Sequence, residues 1–258
     1  MAFDRATRHT DALGGTASGR PFTSSSTRKA SPVTSTPTIG MVGGTGPAGA
    51  GLALRFAAAG VPVLLGSRDA ARAHTTATDL NARWPLLTPI VGVDNHGACR
   101  ADIVVLATSA DAIVETAASL RDALAGRITV CMANLLTRTR RSFEAVLPPE
   151  GSVAKAVQAA APEANVVAAY QNLPAAALAD LDRELRADVL ICGDDAAAVA
   201  SVFALTSTIA GLEPIDAGAL TNAAGVEALT AILLNVNRTL HGEFSVRLVD
   251  LHGRSPSQ

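Results

Sequence analysis

Residues 38–49 read TIGMVGGTGPAG, an apolar run that leads directly into a glycine-rich loop. The pattern Gly-x-Gly-x-x-Gly falls on Gly44, Gly46 and Gly49. In a dinucleotide site the first glycine permits a tight turn, the second lets the backbone approach the diphosphate, and the third lets a helix pack close to the strand. Pro47 lacks an N–H but suits the first turn of such a helix. The stretch therefore predicts a strand, a loop and a helix whose free amide groups bind a diphosphate.

The rest of the chain alternates between apolar runs and Ala- and Leu-rich stretches with helical spacing. The predicted strands are residues 38–42, 61–65, 90–93, 103–107, 128–132, 166–170, 189–192 and 213–215. The predicted helices are residues 49–59, 111–125, 153–160, 195–209 and 221–240. This alternation predicts an α/β protein, a Rossmann-type doubly wound, mostly parallel sheet with helices on both faces and a C-terminal helical segment.

Composition suggests three parts. Residues 1–37 are rich in Ser, Thr and Pro without hydrophobic periodicity, so we expect a disordered N-terminal extension. Residues 38–218 form the predicted nucleotide-binding domain. Residues 219–258 form a helical segment that contributes either to a substrate cleft or to a dimer interface.

Charge and cysteine usage exclude several classes of protein. Lys and Arg number 21 against 23 Asp and Glu, so no basic excess points to nucleic acid. The longest apolar runs are too short to span a bilayer. Cys99, Cys131 and Cys192 form no CxxC pair, which predicts neither a disulfide framework nor a metal site. We expect a cytoplasmic protein that binds neither nucleic acid nor membrane.

The residues at the end of the second predicted strand indicate which dinucleotide the protein binds. An NAD enzyme usually carries an acid there, which binds the ribose 2′-hydroxyl. This chain carries Ser67 and Arg68, and a hydroxyl beside a planar guanidinium suits a 2′-phosphate. Arg72, one helical turn later, could add charge, whereas Asp69 would repel a phosphate if it pointed inward. The sequence predicts NADP(H).

The glycine loop, together with Gly66-Ser67-Arg68, resembles the NADPH-dependent reductases of coenzyme F-420, the 8-hydroxy-5-deazaflavin. The resemblance continues through Asn172-Leu173-Pro174-Ala175, the Cys-Gly-Asp-Asp of residues 192–195, the Asp-Ala-Gly of residues 216–218, and Val226-Glu227-Ala228-Leu229-Thr230. It implies direct hydride transfer between nicotinamide C4 and deazaflavin C5 in a homodimer. The cofactors carry this chemistry, so no catalytic residue is predicted.

The resemblance also implies where each substrate is bound. The implied NADP contacts are Gly44, Thr45, Gly46, Pro47, Ala48, Gly49, Ser67, Arg68, Thr108, Ser109, Ala133 and Asn134. The implied deazaflavin contacts are Gln171, Asn172, Leu173 and Pro174.

The chain departs from this family on the deazaflavin side. Gln171 stands where the family tends to carry His, and Asn134-Leu135 replaces Val-Pro. An Arg that tends to follow Asp-Ala-Gly is missing from residues 222–225. Two alternatives therefore stay open: a reductase of a specialised imine or enone that uses NADPH or the reduced deazaflavin, and a non-catalytic NADP-binding sensor.

Three further features have competing interpretations. Lys155 could be a catalytic cation, but an exposed lysine is the simpler interpretation. Asp194 and Asp195 resemble a carboxylate pair, yet a helix N-cap explains them better. The arginine-rich residues 138–141 are either a solvated loop or a basic loop for the phosphate and acidic tail of coenzyme F-420.

Overall fold

The computed structural model describes residues 36–251. The extension predicted for residues 1–37 therefore lies, apart from its last two residues, outside the described part. The strands of the described part are β1 (Ile39–Val42), β2 (Val63–Ser67), β3 (Ile90–Asp94), β4 (Ile103–Leu106), β5 (Ile128–Cys131), β6 (Leu136–Arg138), β7 (Phe143–Ala145), β8 (Asn165–Ala168), β9 (Ala187–Gly193) and β10 (Leu212–Asp216). The helices are α1 (Pro47–Ala58), α2 (Ala70–Arg83), α3 (Asn95–Ala98), α4 (Ala110–Ser119), α5 (Arg121–Leu124), α6 (Val153–Ala160), α7 (Ala175–Ala179), α8 (Ala196–Thr206) and α9 (Ala223–Leu240). A 3-10 turn, Leu220–Asn222, precedes α9.

Eight strands form one sheet in the order β10-β9-β8-β5-β4-β1-β2-β3. Neighbouring strands are parallel except β8 and β9, which pair antiparallel. Strands such as β1 and β4 are buried along their whole length, as the strands of a sheet covered on both faces must be. The strand order reverses at β1, between β2 and β4, and such a switch point opens a crevice at the carboxyl ends of the strands.

The two faces of the sheet bury separate aliphatic clusters. One contains Met41 and Val105 with side chains of α1 and α8. The other contains Val104 and Leu106 with side chains of α4, α6 and the start of α9. The predicted α/β class, the mostly parallel sheet and the helices on both faces are confirmed.

The sequence prediction found all eight strands of this sheet but not every element. It missed α2 because only Ala73 and Ala77 of that helix are buried, which leaves no apolar period to detect. The helix predicted for residues 111–125 is interrupted, since α4 ends at Ser119 and the short α5 follows. It also missed the two-stranded hairpin β6–β7.

The last helix, α9, is buried at its start and exposed further along. Its first turns bury Ala223, Val226 and Glu227 against the sheet. Ile232 and Leu240, further along, are 59% and 60% exposed. No helix among residues 36–251 is long and apolar enough to cross a membrane.

A buried arginine in the last turn of α1 connects that helix to α7 and to the chain that follows α7. The Arg55 guanidinium donates from Nε to Leu178 O at 3.0 Å, and from Nη2 to Ala177 O at 2.7 Å and Arg183 O at 3.0 Å. It also donates to Asp180 O. Burial lowers the pKa of Arg55. One guanidinium thereby donates hydrogen bonds to four backbone carbonyl groups, in α7 and in the chain that follows it.

Candidate functional site

The glycine loop between β1 and α1 makes a sharp turn. Gly43 has φ +68°, a left-handed conformation that favours glycine, and Gly44 N donates to Met41 O and to Gly66 O at 3.1 and 2.9 Å. From the glycine pattern, Gly44 was expected to permit this turn. The structure corrects that expectation, because Gly43 carries the left-handed conformation.

Gly44 and Gly49 are instead required by close packing. A Cβ on Gly44 would lie 2.7 Å from the Leu65 Cδ1, and a Cβ on Gly49 would lie 2.9 Å from the Gly44 Cα. A Cβ on Gly46 would meet only Gly43 O, at 3.9 Å. The face of Gly46 is therefore open, so a ligand can approach its backbone at the start of α1.

A cavity of about 320 Å³ lies beside this loop. It is lined by Gly43, Thr45, Gly46, Ser67, Arg68, Arg72, Asn95, Ala107, Thr108, Ser109, Ala112 and Thr116. Six predicted contact residues thus meet in one cavity, from the ends of β1, β2 and β4. Pro47, Ala48 and Gly49 form the first turn of α1 next to it.

Asn95 is a residue of this cavity that the sequence analysis missed. It is 8% exposed, and its Oδ1 accepts a hydrogen bond from Gly43 N at 3.1 Å, which fixes the glycine loop. Its position directly after β3 was the available signal, because the carboxyl ends of parallel strands meet at one edge of a sheet.

The cavity has a positive end. Arg68 and Arg72 line it, and no described carboxylate lies within 4.0 Å of either guanidinium. The Asp69 carboxylate caps α2, where it accepts from Ala71 N at 2.9 Å and Arg72 N at 3.3 Å. Asp69 is not among the lining residues, so the inward orientation that would repel a phosphate is not adopted.

Thr108 supplies an unused hydroxyl to the same cavity. Its Oγ1 is buried and has no hydrogen-bond partner among the described residues. Ser109 follows as the N-cap of α4 without a side-chain hydrogen bond. A buried hydroxyl without a partner is costly, so a polar ligand group is the natural partner for it.

Two amide side chains meet beyond β5 and β8. Asn134 Nδ2 donates to Gln171 O at 3.2 Å, and Gln171 Nε2 donates to Cys131 O at 2.9 Å. A backbone carbonyl can only accept, so these bonds fix which end of each amide is the nitrogen. The Asn134 Oδ1 and the Gln171 Oε1 are buried and lack partners within the described chain. Both oxygens are hydrogen-bond acceptors to which no donor of the described chain is bound. The backbone of Ala133, next to Asn134, is part of the same turn.

The C-terminal segment folds back over Asn172. Asn172 Nδ2 donates to Asp188 O at 2.7 Å and to Ser245 Oγ at 3.0 Å, while Ser245 Oγ donates to Asn172 O at 2.9 Å. Asp188 N donates to Val246 O at 2.8 Å, and the buried Asp188 carboxylate lies 3.2 Å from Arg247 Nε. Sequence reasoning missed this strap, residues 243–248.

The turn that presents residues 171–174 starts from a strained tyrosine. Tyr170 has φ +72°, unusual for a residue other than glycine. Its hydroxyl lies 2.7 Å from Thr206 Oγ1, and its ring packs edge-on against Phe56 at 6.1 Å between centroids. After this turn Leu173 is 8% exposed and Pro174 caps α7.

The remaining candidates have structural roles. Asp195 accepts from Ala198 N at 2.7 Å and caps α8, as predicted, and Asp194 accepts from Leu220 N at 2.9 Å. Lys155 is exposed on α6. Burial raises the pKa of Cys131 to about 12, so its thiol stays protonated at neutral pH. Within residues 36–251 no group of three His, Cys, Asp or Glu side chains could hold a metal ion.

A larger cavity, about 630 Å³, lies along α8. Its polar groups include Asp194 and Asp216, whose carboxylates already accept from Leu220 N and Gly218 N. It contains none of the predicted contact residues. We therefore assign the candidate site to the smaller cavity and to the amide pair beyond β5 and β8.

The chain is similar to known reductases over most of its length. Residues 38–135 match the family described as "NADP oxidoreductase coenzyme F420-dependent". The F420-dependent NADP reductase of Methanocaldococcus jannaschii is 34% identical over 77% of this chain and 92% of its own length. That of Methanothermobacter thermautotrophicus is 32% identical, over 77% of this chain and 88% of its own. A solved structure from Arthrobacter sp. FB24, described as a candidate F420-dependent NADP reductase, superimposes with a TM-score of 0.71. It is 26% identical and covers 83% of this chain and 100% of its own.

Proposed function

Because the chain belongs to the family of coenzyme F-420-dependent NADP oxidoreductases, we propose that it transfers a hydride between NADP(H) and coenzyme F-420. The single observation that carries this proposal is the cavity of Gly46, Ser67 and Arg68 at the switch point of the sheet. In the reaction the electron pair moves with the hydrogen from nicotinamide C4 to deazaflavin C5, and solvent supplies the accompanying proton.

The proposed NADP contacts follow from the geometry of the cavity. Gly46 and the first turn of α1, residues 47–49, present backbone groups and the positive end of the helix to the diphosphate. Ser67 and Arg68, with Arg72 one turn further, bind the 2′-phosphate, because no described carboxylate neutralises either arginine. Thr45, Thr108 and Ser109 line the rest of the cavity.

The second substrate is proposed to bind at residues 171–174, with Ala133 and Asn134 beside the nicotinamide. The Asn134 Oδ1 and the Gln171 Oε1 require hydrogen-bond donors. A nicotinamide carboxamide and the ring N–H of a deazaflavin are both donors, so the residues fit these groups. Neither amide can act as a general acid or base near neutral pH, which agrees with a reaction that needs only orientation of two rings.

Domain roles follow from the same contacts. We propose residues 38–218 as the NADP-binding domain and residues 219–251, the described part of the segment predicted for residues 219–258, as part of the second-substrate cleft. Thr230 Oγ1 of α9 donates to Gln171 O at 3.0 Å, and Ser245 bonds Asn172. The exposed apolar side chains Ile232 and Leu240 support a homodimer, which light scattering of the purified protein tests. Buried, protonated thiols support a reducing, cytoplasmic setting.

A ligand screen with one matched variant tests the proposed function. NADPH should raise the melting temperature more than NADH does, and coenzyme F-420 should add to that shift, since ligands stabilise the fold by mass action. NADPH should also bleach the visible absorbance of F-420 in the presence of the enzyme. Gly46→Ala should keep the ligand-free melting temperature, because its Cβ meets open space, yet weaken both nucleotides by about 2 kcal/mol.

The results separate the alternatives. A protein that no nicotinamide dinucleotide stabilises at millimolar concentration contradicts the proposal. Binding of NADPH with turnover of an imine or enone, and none of F-420, would favour the specialised reductase that the departures at Gln171 and Asn134 suggest. Tight NADPH binding without turnover of any acceptor would favour the sensor.

A further inference from the structure

The hairpin β6–β7 and the end of α9 together form a surface rich in exposed arginines. Arg138, Arg140 and Arg141 are exposed on the hairpin, and Arg238 is exposed on α9 beside it. Arg238 Nη2 donates to Arg140 O at 3.5 Å. No carboxylate of the described chain lies within 4.0 Å of these four guanidinium groups. We call these four residues the arginine patch.

The hairpin that carries three of the four arginines is held in place by hydrogen bonds. In the hairpin turn, Thr139 N donates to Ser142 O at 2.9 Å, and Thr139 Oγ1 accepts from Ser142 N at 3.0 Å. Asn235 of α9 holds the returning strand, because its Oδ1 accepts from Phe143 N at 2.9 Å and its Nδ2 donates to Phe143 O at 2.8 Å. Arg138 lies over the Phe143 ring, 5.8 Å from the centroid. Because its backbone is already ordered, the hairpin loses little conformational entropy when its arginines bind a ligand.

The patch lies next to the second-substrate region. The hairpin begins at Leu136, two positions after Asn134. On α9, Thr230 contacts Gln171 O, and Arg238 lies two helical turns further along, about 12 Å away at 1.5 Å per residue. A ligand whose ring binds at Gln171 can therefore reach the patch only with a long substituent.

From this placement we propose that the arginine patch binds the phosphate and carboxylates of an acidic tail on the second substrate. The proposal rests on the proposed function and identifies what the enzyme recognises beyond the ring. Coenzyme F-420 carries its phosphate and carboxylates on an extended ribityl chain, so these groups leave the ring pocket. Guanidinium groups bind phosphate and carboxylate with two parallel hydrogen bonds, which suits an arginine-only surface.

A comparison of two deazaflavins tests the patch directly. The probes are coenzyme F-420 and the tail-less 8-hydroxy-5-deazariboflavin, each titrated against the holo complex with NADP⁺ and followed by fluorescence. The variant is Arg140→Ser/Arg141→Ser, and Arg238→Ser is a second, independent one. The control is Arg100→Ser/Arg121→Ser, which removes the same charge from the opposite edge of the sheet.

The wild type should bind F-420 more tightly than the tail-less compound, and high salt should remove the difference. The double variant should weaken F-420 about five- to twentyfold, the range for exposed charge pairs that act together, and leave the tail-less compound and NADPH unchanged. The control should behave as wild type.

Two results would overturn the proposal, and they differ in whether the proposed second substrate is also refuted. Equal affinity for both deazaflavins in wild type and variants would eliminate the patch as a tail site while leaving hydride transfer to the ring intact. Failure of both deazaflavins to bind, with NADPH still bound, would refute the proposed second substrate and this proposal with it.

Discussion

The nucleotide cavity and the second-substrate region are built by different kinds of interaction. In the cavity, backbone conformation, close packing and helix capping set most of the shape: the left-handed Gly43, the crowding at Gly44 and the capping of α2 by Asp69. Asn95 adds a side-chain hydrogen bond to Gly43 N across 52 positions. In the second region, side-chain amides join segments far apart in sequence. Asn134 and Gln171 are 37 positions apart, Asn172 and Ser245 are 73 apart, and Asn235 and Phe143 are 92 apart. The shape of the second region therefore depends on contacts between distant segments, whereas the shape of the cavity depends mainly on the backbone of its own loops.

Removal of the Arg55 guanidinium should have the largest effect, because it connects α1, which follows the glycine loop, to α7, which follows residues 171–174. Arg55→Met leaves the buried carbonyls of Ala177, Leu178 and Arg183 without their donor. We expect the free energy of unfolding in urea to fall by about 3–5 kcal/mol. Arg100→Met, an exposed site, should change it by no more than about 0.5 kcal/mol. Equal stability of both variants would show that these hydrogen bonds do not stabilise the packing of α1 against α7.

The next largest effect should be confined to the nucleotide cavity. Arg68→Ala should weaken NADPH by about 1.5–3 kcal/mol, the scale of a hydrogen bond to a charged group, and leave NADH nearly unaffected. Calorimetric titration of both nucleotides measures the difference. Arg83→Ala, on the last turn of α2, serves as the control. Equal losses for both nucleotides would mean that Arg68 does not bind the 2′-phosphate.

A change at Gln171 should affect ligand binding only in the second-substrate region. Gln171→Leu removes the unpartnered Oε1 and the donor to Cys131 O, so deazaflavin affinity should fall by about 1–2 kcal/mol. The NADPH affinity should stay the same, which a parallel titration checks. Loss of NADPH affinity of the same size would show that the amide pair belongs to the nucleotide site instead.

The smallest effect concerns Glu227, which fixes α9 under the second region. Its carboxylate is 3% exposed and accepts from Val153 N at 2.8 Å and Ala154 N at 3.0 Å, at the start of α6. Burial raises the pKa of Glu227 above the ordinary value of 4.5. The folded protein thus holds this proton more tightly than the unfolded chain does.

The stability contributed by Glu227 is therefore complete below pH 4.5 and is lost as the pH rises through the raised pKa. Urea unfolding of the wild type and Glu227→Gln across pH 4 to 8 measures this contribution. Relative to the variant, the wild type should lose stability as the pH increases. Parallel pH profiles would contradict the assignment.

The sequence was informative where physical constraints are local. Buried strands such as β4 are uninterrupted apolar runs, and Gly46 and Arg68 stand at fixed offsets from the strands that present them. For that reason the sequence could predict that residues such as Gly46 and Arg68 lie together at one edge of the sheet, where they line the same cavity. β6 and β7 could not, since each has three residues and no buried one. Neither could the strap, because Ser245 and Arg247 acquire a role only when the fold brings them to Asn172 and Asp188.

The strained Tyr170 limits how this enzyme could be redirected to new acceptors. A left-handed tyrosine costs about 1–3 kcal/mol, and the hydroxyl bond to Thr206 and the contact with Phe56 hold it in place. Glycine would relieve the backbone but leave a void where the ring packs. In directed evolution, libraries that vary Asn134 and Gln171 should therefore keep many folded members, whereas randomising Tyr170 would discard most of them.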